Sequence, residues 1–224
     1  MNKLALLLAV LAACSDDAVT VTMTTSGAAP AYGQTPFPTD AVREGDRLGT
    51  IAGLDALVGK HADGIATHVA ALDGFGLRPL VEFFVDGALD PGSIPEQTRE
   101  ASDAAGLVDV DPASPDRGRV IPMDWRYSVD RGVLAGAPVS GQVLREGTRY
   151  AAFVTTAVRT ASGDPIRRAG DLSADLARHD RWRTTADALA ELDTAGRFAG
   201  IAVFTTQHAS APLLAAREAL ETAP

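Results

Sequence analysis

The chain has 224 residues, a formal net charge of −9 from 29 acidic and 20 basic side chains, and one cysteine. No basic block interrupts this acidic balance, so nucleic acid is excluded as an expected partner. A lone cysteine makes no intrachain disulfide, so a body of this length has to be held by its own core.

The first elements in chain order belong to export. Met1-Asn2-Lys3 is a short cationic start, and residues 4–11 are an unbroken run of Leu, Ala and Val. Those eight residues span about 12 Å as a helix, at about 1.5 Å per residue. Crossing a bilayer takes roughly 20 residues. Leu11-Ala12-Ala13-Cys14 closes the run with small residues and a thiol, and Ser15-Asp16-Asp17 is abruptly polar. A charged start, a short apolar stretch and small residues before a cut describe a signal peptide over 1–13.

Leu11 to Cys14 resembles the lipobox of bacterial lipoproteins. The resemblance implies cleavage after Ala13, a diacylglycerol on the Cys14 thiol, and acylation of the new amino terminus. Two or more acyl chains give stable membrane anchoring, where one alone gives marginal binding. The implied location is the cell envelope. Ser15 after the cysteine, in place of Asp, resembles the outer-membrane sorting pattern. An ordinary secretory signal, or a buried amino-terminal strand with an incidental cysteine, is the alternative.

Residues 14–35 then read as the lipidated cysteine and a flexible tether, because Thr, Ala, Ser and Gly bury too little surface to offset ordering entropy. Pro36-Phe37-Pro38-Thr39-Asp40 marks the start of the folded domain, assigned to 36–209. Ile65, Val69 and Leu72 recur at helical spacing and predict a helix over 61–73, stopped by Asp73-Gly74. Residues 80–85 are rich in β-branched and aromatic side chains and predict a strand. Further strands are predicted at 106–110, 119–127, 141–144, 150–159 and 201–206, with turn residues between them. Helices are predicted at 174–178, with Ser173 as N-cap, and at 181–192. Ser210 and Pro212 start a last helix or linker over 210–224. Short strands without a βαβ rhythm predict a mainly β (α+β) fold: an antiparallel β-sandwich with a few peripheral helices.

A second resemblance rests on the order of several motifs. Pro36-Phe37-Pro38-Thr39-Asp40 is followed by Leu72-Asp73-Gly74-Phe75 and by Leu89-Asp90-Pro91-Gly92-Ser93-Ile94-Pro95. Gly147-Thr148-Arg149-Tyr150-Ala151, Gly163-Asp164-Pro165 and Val203-Phe204-Thr205-Thr206-Gln207 continue the series. It is similar to the amino-terminal, immunoglobulin-like region of large extracellular bacterial lipases of the virulence-factor type, over about residues 36–210. In fuller members of that family an α/β-hydrolase domain follows. Its nucleophile elbow needs Gly-x-Ser-x-Gly, and no serine here meets it. Ser140 comes nearest, with Pro138 and Gln142 where the glycines would stand. No catalytic residue is carried over.

The remaining candidates read as structure. His61, His68, His179 and His208 lack zinc-ligand spacing. Asp109, Asp111 and Asp116 cluster on a turn, but Ala113, Ser114 and Val120 break an EF-hand pattern. Trp125 alternates with Met123 and Tyr127 and could form a ligand face for a small molecule or glycan, although packing is the default reading for it and for Trp182. Asp130 with Arg131, and Arg167 with Arg168, read as surface charges. No metal or cofactor is expected. The sequence therefore predicts a lipid-anchored, non-catalytic envelope module. The expected partners are the membrane, through Cys14, and an envelope protein or hydrolase domain. Its alternative is the front portion of a secreted lipase or esterase.

Overall fold

The computed structural model describes residues 18–100, 104–168 and 170–222. Among these residues, eight strands form two four-stranded antiparallel sheets. One contains β1 (Val81–Phe84), β6 (Val133–Pro138), β5 (Met123–Ser128) and β2 (Gln97–Thr98), in that spatial order. The other runs β4 (Val120–Ile121), β3 (Ala105–Asp109), β7 (Arg149–Thr155), β8 (Phe198–Thr205). Val81, Phe83, Leu107, Met123, Leu134, Ala152 and Phe204 share the main core. β5 shows the period of a half-buried strand, with Met123 and Trp125 inward and Asp124 and Arg126 outward.

β7 and β8 are instead buried almost throughout. Their outer side chains, among them Phe153, Ile201 and Val203, pack under Leu176 of α3 (Leu172–Ala177), Leu189 of α4 (Arg183–Leu192) and Trp182 in the turn between them. The helices are thus a third layer on the second sheet. The remaining helices are α1 (Asp55–Val58) and α2 (Ala62–Ala70) before β1, and α5 (Ala211–Glu221) after β8. Among the described residues no helix is long and apolar enough to cross a membrane.

The topology is immunoglobulin-like. Reading β1, β3, β4, β5, β6, β7 and β8 as strands B, C, C′, D, E, F and G gives sheets B-E-D and C′-C-F-G. The place of strand A is taken by Phe37, which bridges antiparallel to Glu82 of β1. β2 is an addition on the free side of β5. Tyr150 is the second residue of β7, and its hydroxyl accepts a hydrogen bond from the Arg145 amide at 3.0 Å. That is the tyrosine corner of such sandwiches. Burial pushes the Tyr150 hydroxyl above its ordinary pKa, which keeps the phenol neutral.

Several elements differ from the sequence reading. The single strand predicted over 119–127 is divided at Pro122, with β4 pairing β3 and β5 pairing β6. Proline has no N–H for a ladder, so the chain changes sheets there. The strand predicted at 141–144 is irregular, and β6 takes its place as the partner of β5. Ala135-Gly136-Ala137-Pro138 lacks a strand signature because Gly136 lies under Trp125, where a Cβ would come within 2.4 Å of the indole. The helix predicted over 61–73 is shorter as α2, which ends at Ala70; Ile65 and the following Leu72 are exposed while Val69 packs on the core. Asp171, in place of Ser173, caps α3 by accepting from the Ala174 amide. Ser210 precedes α5 but makes no side-chain cap.

The largest correction concerns residues 18–35, predicted as tether. Val21 is fully buried in the main core, and the Thr22 amide donates to Phe84 O at 2.8 Å. The Trp182 indole donates to Ser26 O at 2.9 Å, and the Tyr32 ring meets Phe37 and Phe84 edge-on. Average composition hides such anchors: one valine and one tyrosine fill gaps between the layers. Gly200 provides the first gap, since a Cβ there would lie 2.7 Å from Val21 Cγ1. Val21→Ala is expected to cost about 2 kcal/mol in urea unfolding, from two lost methyl groups and the cavity they leave. A tether residue would give no change.

Candidate functional site

Cys14 and Ala13, the predicted lipidation and cleavage positions, lie outside the described residues. The other residues singled out in the sequence are spread over the molecule. His61 and His68 are exposed. His208 pairs through Nδ1 with Asp73 Oδ2 at 2.8 Å. Burial raises the Asp73 carboxyl, but the bonds from the His208 ring and amide outweigh it and hold the group below its ordinary pKa. Among the described residues no three His, Cys, Asp or Glu side chains could hold a metal ion.

The carboxylates of the acidic turn are taken up by the protein's own donors. Asp109 accepts from the Asp111 amide at 3.0 Å and from Ser114 Oγ at 2.6 Å. Asp111 accepts from the amides of Ala113 and Arg149, at 2.8 and 3.0 Å. Asp116 pairs with Arg145 at 2.6 Å, and that guanidinium holds its carboxyl below the ordinary range. Trp125 is buried, and its indole donates to Thr98 Oγ1 at 2.9 Å, so strand 123–127 presents no aromatic ligand face. Arg168 binds Phe198 O and the buried Asp193 carboxylate.

Two hollows lie beside the amino-terminal segment. The larger, about 680 Å³, is open and lined by Gly27, Asp40, Arg43 and residues 178–181. Its central polar groups serve the fold. Arg181 donates to Ala41 O at 2.6 Å and Arg43 donates to Asp73 O at 2.9 Å. Asp40 accepts from Thr205 N and Oγ1 at 2.9 and 2.6 Å. Burial pushes the Asp40 carboxyl above its ordinary pKa, against the pull of Thr205 and Arg43.

The second hollow is apolar. It holds about 300 Å³ between Phe37, Pro38, Phe75, Gly76, Pro79, Leu80, Glu82 and Arg131. Its geometry follows from where strand A stops. Phe37 N donates to Glu82 O at 2.9 Å, and Glu82 N donates to Phe37 O at 2.6 Å. The next peptide, Phe37–Pro38, is cis, and Pro38 has no N–H to continue the ladder. Thr39 then turns the chain away by capping the 3-10 turn Asp40–Val42. Leu80, just ahead of β1, is left 52% exposed.

Phe75 is fixed from the other sheet by Phe75 N donating to Thr205 O at 2.9 Å and Gln207 N donating to Phe75 O at 2.7 Å. A side chain at Gly74 would meet the backbone of Thr206 and Gln207 at 2.6 Å, so this approach requires glycine. The rings of Phe37 and Phe75 meet edge to face with centroids 5.5 Å apart.

The polar side of this cleft is a buried carboxylate with both oxygens engaged. Glu82 Oε2 accepts from the Tyr32 hydroxyl at 2.5 Å, and Oε1 accepts from Arg131 Nη2 at 3.0 Å. Side-chain exposure is 5% for Glu82 and 52% for Arg131. Burial first, then the bond to Glu82, pushes the Tyr32 phenol far above its ordinary pKa, so it remains a donor.

No protein-family model matches this chain, and no curated protein matches it. The cleft rests on geometry.

In the sequence, Phe37 and Phe75 lie in separate turn motifs and Arg131 reads as a surface charge. The available signal was Glu82, a charged residue inside the apolar run 80–85, since buried carboxylates need partners. The pair is asymmetric. Removing Arg131 leaves the carboxylate buried with Tyr32 alone, whereas removing the charge of Glu82 lets Arg131 turn to water. Arg131→Gln is therefore expected to lower the urea midpoint more than Glu82→Gln does; equal losses or the reverse order would refute the assignment.

Proposed function

We propose that the chain is a lipid-anchored cell-envelope protein whose immunoglobulin-like body serves as a non-catalytic spacer and binding module. The leader and the Leu11-to-Cys14 motif support the anchor. The observation that carries the binding role is the cleft beside β1: aromatic, proline and leucine walls around a carboxylate whose two oxygens already accept hydrogen bonds. A general base must reach its substrate, and the Glu82 side chain is 5% exposed and held by Tyr32 and Arg131. Apolar walls with a few fixed polar groups are the composition of a binding cleft.

A second reading, the front portion of a secreted lipase or esterase, draws its support from α5. That helix follows the last strand with no buried residue, and Leu213, Leu214 and Leu220 are 75%, 51% and 78% exposed. Such a face suits a further domain packed against it.

Intact mass spectrometry of the protein from its host tests the anchor: a lipid-shifted mass beginning at Cys14 is expected, and an unmodified chain starting at Met1 would reject it. Assay of the purified chain against short-chain aryl esters tests the second half. No turnover above buffer is expected, and saturable hydrolysis would overturn the non-catalytic role. A Gly-x-Ser-x-Gly coding stretch just past codon 224 would favour the lipase reading.

A further inference from the structure

The chemistry of the cleft specifies its ligand more narrowly than the word binding does. We infer that the cleft beside β1 takes a small aromatic carboxylate, its ring between the walls and its acid group on Arg131. This inference rests on the binding-module reading of the same cleft.

Size comes first. At about 30 Å³ per water-sized group, a cleft of about 300 Å³ holds about ten non-hydrogen atoms. That excludes a folded partner or a long acyl chain as an enclosed occupant.

Wall chemistry comes second. Phe37 and Phe75 are already an edge-to-face pair, with Pro38, Pro79 and Leu80 beside them. A third ring extends such a pair in the same offset or edge-on geometry that aromatic side chains prefer. Leu80 is uncovered because strand A ends at Pro38, so the ring has an apolar surface to remove from water.

Charge comes third. Glu82 is only 5% exposed and already paired with Arg131, so a cationic ligand would find no exposed carboxylate there. Arg131 presents the opposite case. One of its N–H groups goes to Glu82 and its side chain is 52% exposed. A guanidinium carries five donors in a planar fork, so its outer edge can receive a second carboxylate while the inner edge keeps Glu82. Asp130 on the same turn is exposed and lies outside the cleft lining. The polar donor that the cleft offers a ligand is cationic, and the ligand it fits is an anion with a flat apolar body.

The test is a titration of the full chain with 3-phenylpropionate and, in parallel, with its neutral counterpart 3-phenylpropanol, followed by amide chemical shifts in NMR. The acid is expected to shift the amides of Gly76, Leu80 and Arg131 and to bind about tenfold tighter than the alcohol, the ratio of one charge-assisted hydrogen bond. Arg131→Gln should abolish that preference. Leu80→Asp, at a half-exposed position on the cleft wall, should weaken the acid more than the alcohol in a chain whose amide spectrum stays folded. Equal affinity of acid and alcohol for the wild-type cleft would overturn the ligand class while leaving a binding cleft in place. Shifts from neither compound at these amides, in a folded protein, would overturn both. Ester hydrolysis by the same sample would instead strike the non-catalytic reading alone.

Discussion

Glu82 is a carboxylate in the middle of a buried strand, and the arrangement around β1 follows from the need to satisfy it. Its backbone N–H and C=O are paired with Phe37, and its side chain is held by Tyr32 and Arg131. An ion taken out of water is tolerated when an opposite charge and further hydrogen bonds replace its hydration. Residue 32 from the amino-terminal segment and residue 131 from the β5–β6 turn meet that condition, and residue 37 at the strand-A position pairs with the backbone of the same residue. The aromatic contacts of Tyr32 with Phe37 and Phe84, and of Phe37 with Phe75, extend the cluster to β8. The cleft is the space left where this closure ends at Pro38.

The described body contains no cysteine, so other devices hold its sheets and corners. Tyr150 ties the start of β7 to the Arg145 amide. The end of β8 is clamped twice, by Glu146 accepting from Ser210 N and Oγ at 2.9 and 2.7 Å, and by Asp73 meeting the His208 ring. Thr206 Oγ1 donates to Arg145 O at 2.6 Å and accepts from Thr148 N at 3.0 Å, joining the corner to the same strand end. α5 therefore leaves the sandwich from a fixed base although no residue of it is buried.

Much of the sandwich was legible in the sequence because its strands carry local signals. Val81–Phe84, Ala105–Asp109 and Phe198–Thr205 are apolar runs bounded by turn residues, and Asp171 to Leu192 carries helical spacing. What escaped is set by tertiary packing. Val133–Pro138 has weak strand propensity, yet it pairs with two strands because Gly136 makes room for Trp125. Residues 18–35 have a tether's composition, but Val21 and Tyr32 each find a matching gap. The cleft was hidden for the same reason: its walls come from positions 37, 75, 80 and 131, and no spacing rule connects them.

Native-state hydrogen exchange at single residues tests the central claim directly, that the amino-terminal segment closes β1 around Glu82. The amides of Thr22, Phe37 and Glu82, which donate to Phe84 O, Glu82 O and Phe37 O, are predicted to exchange only through large-scale unfolding, like the amides of β7. Exchange of Thr22 and Phe37 at the rate of a free peptide, with β7 still protected, would contradict the account.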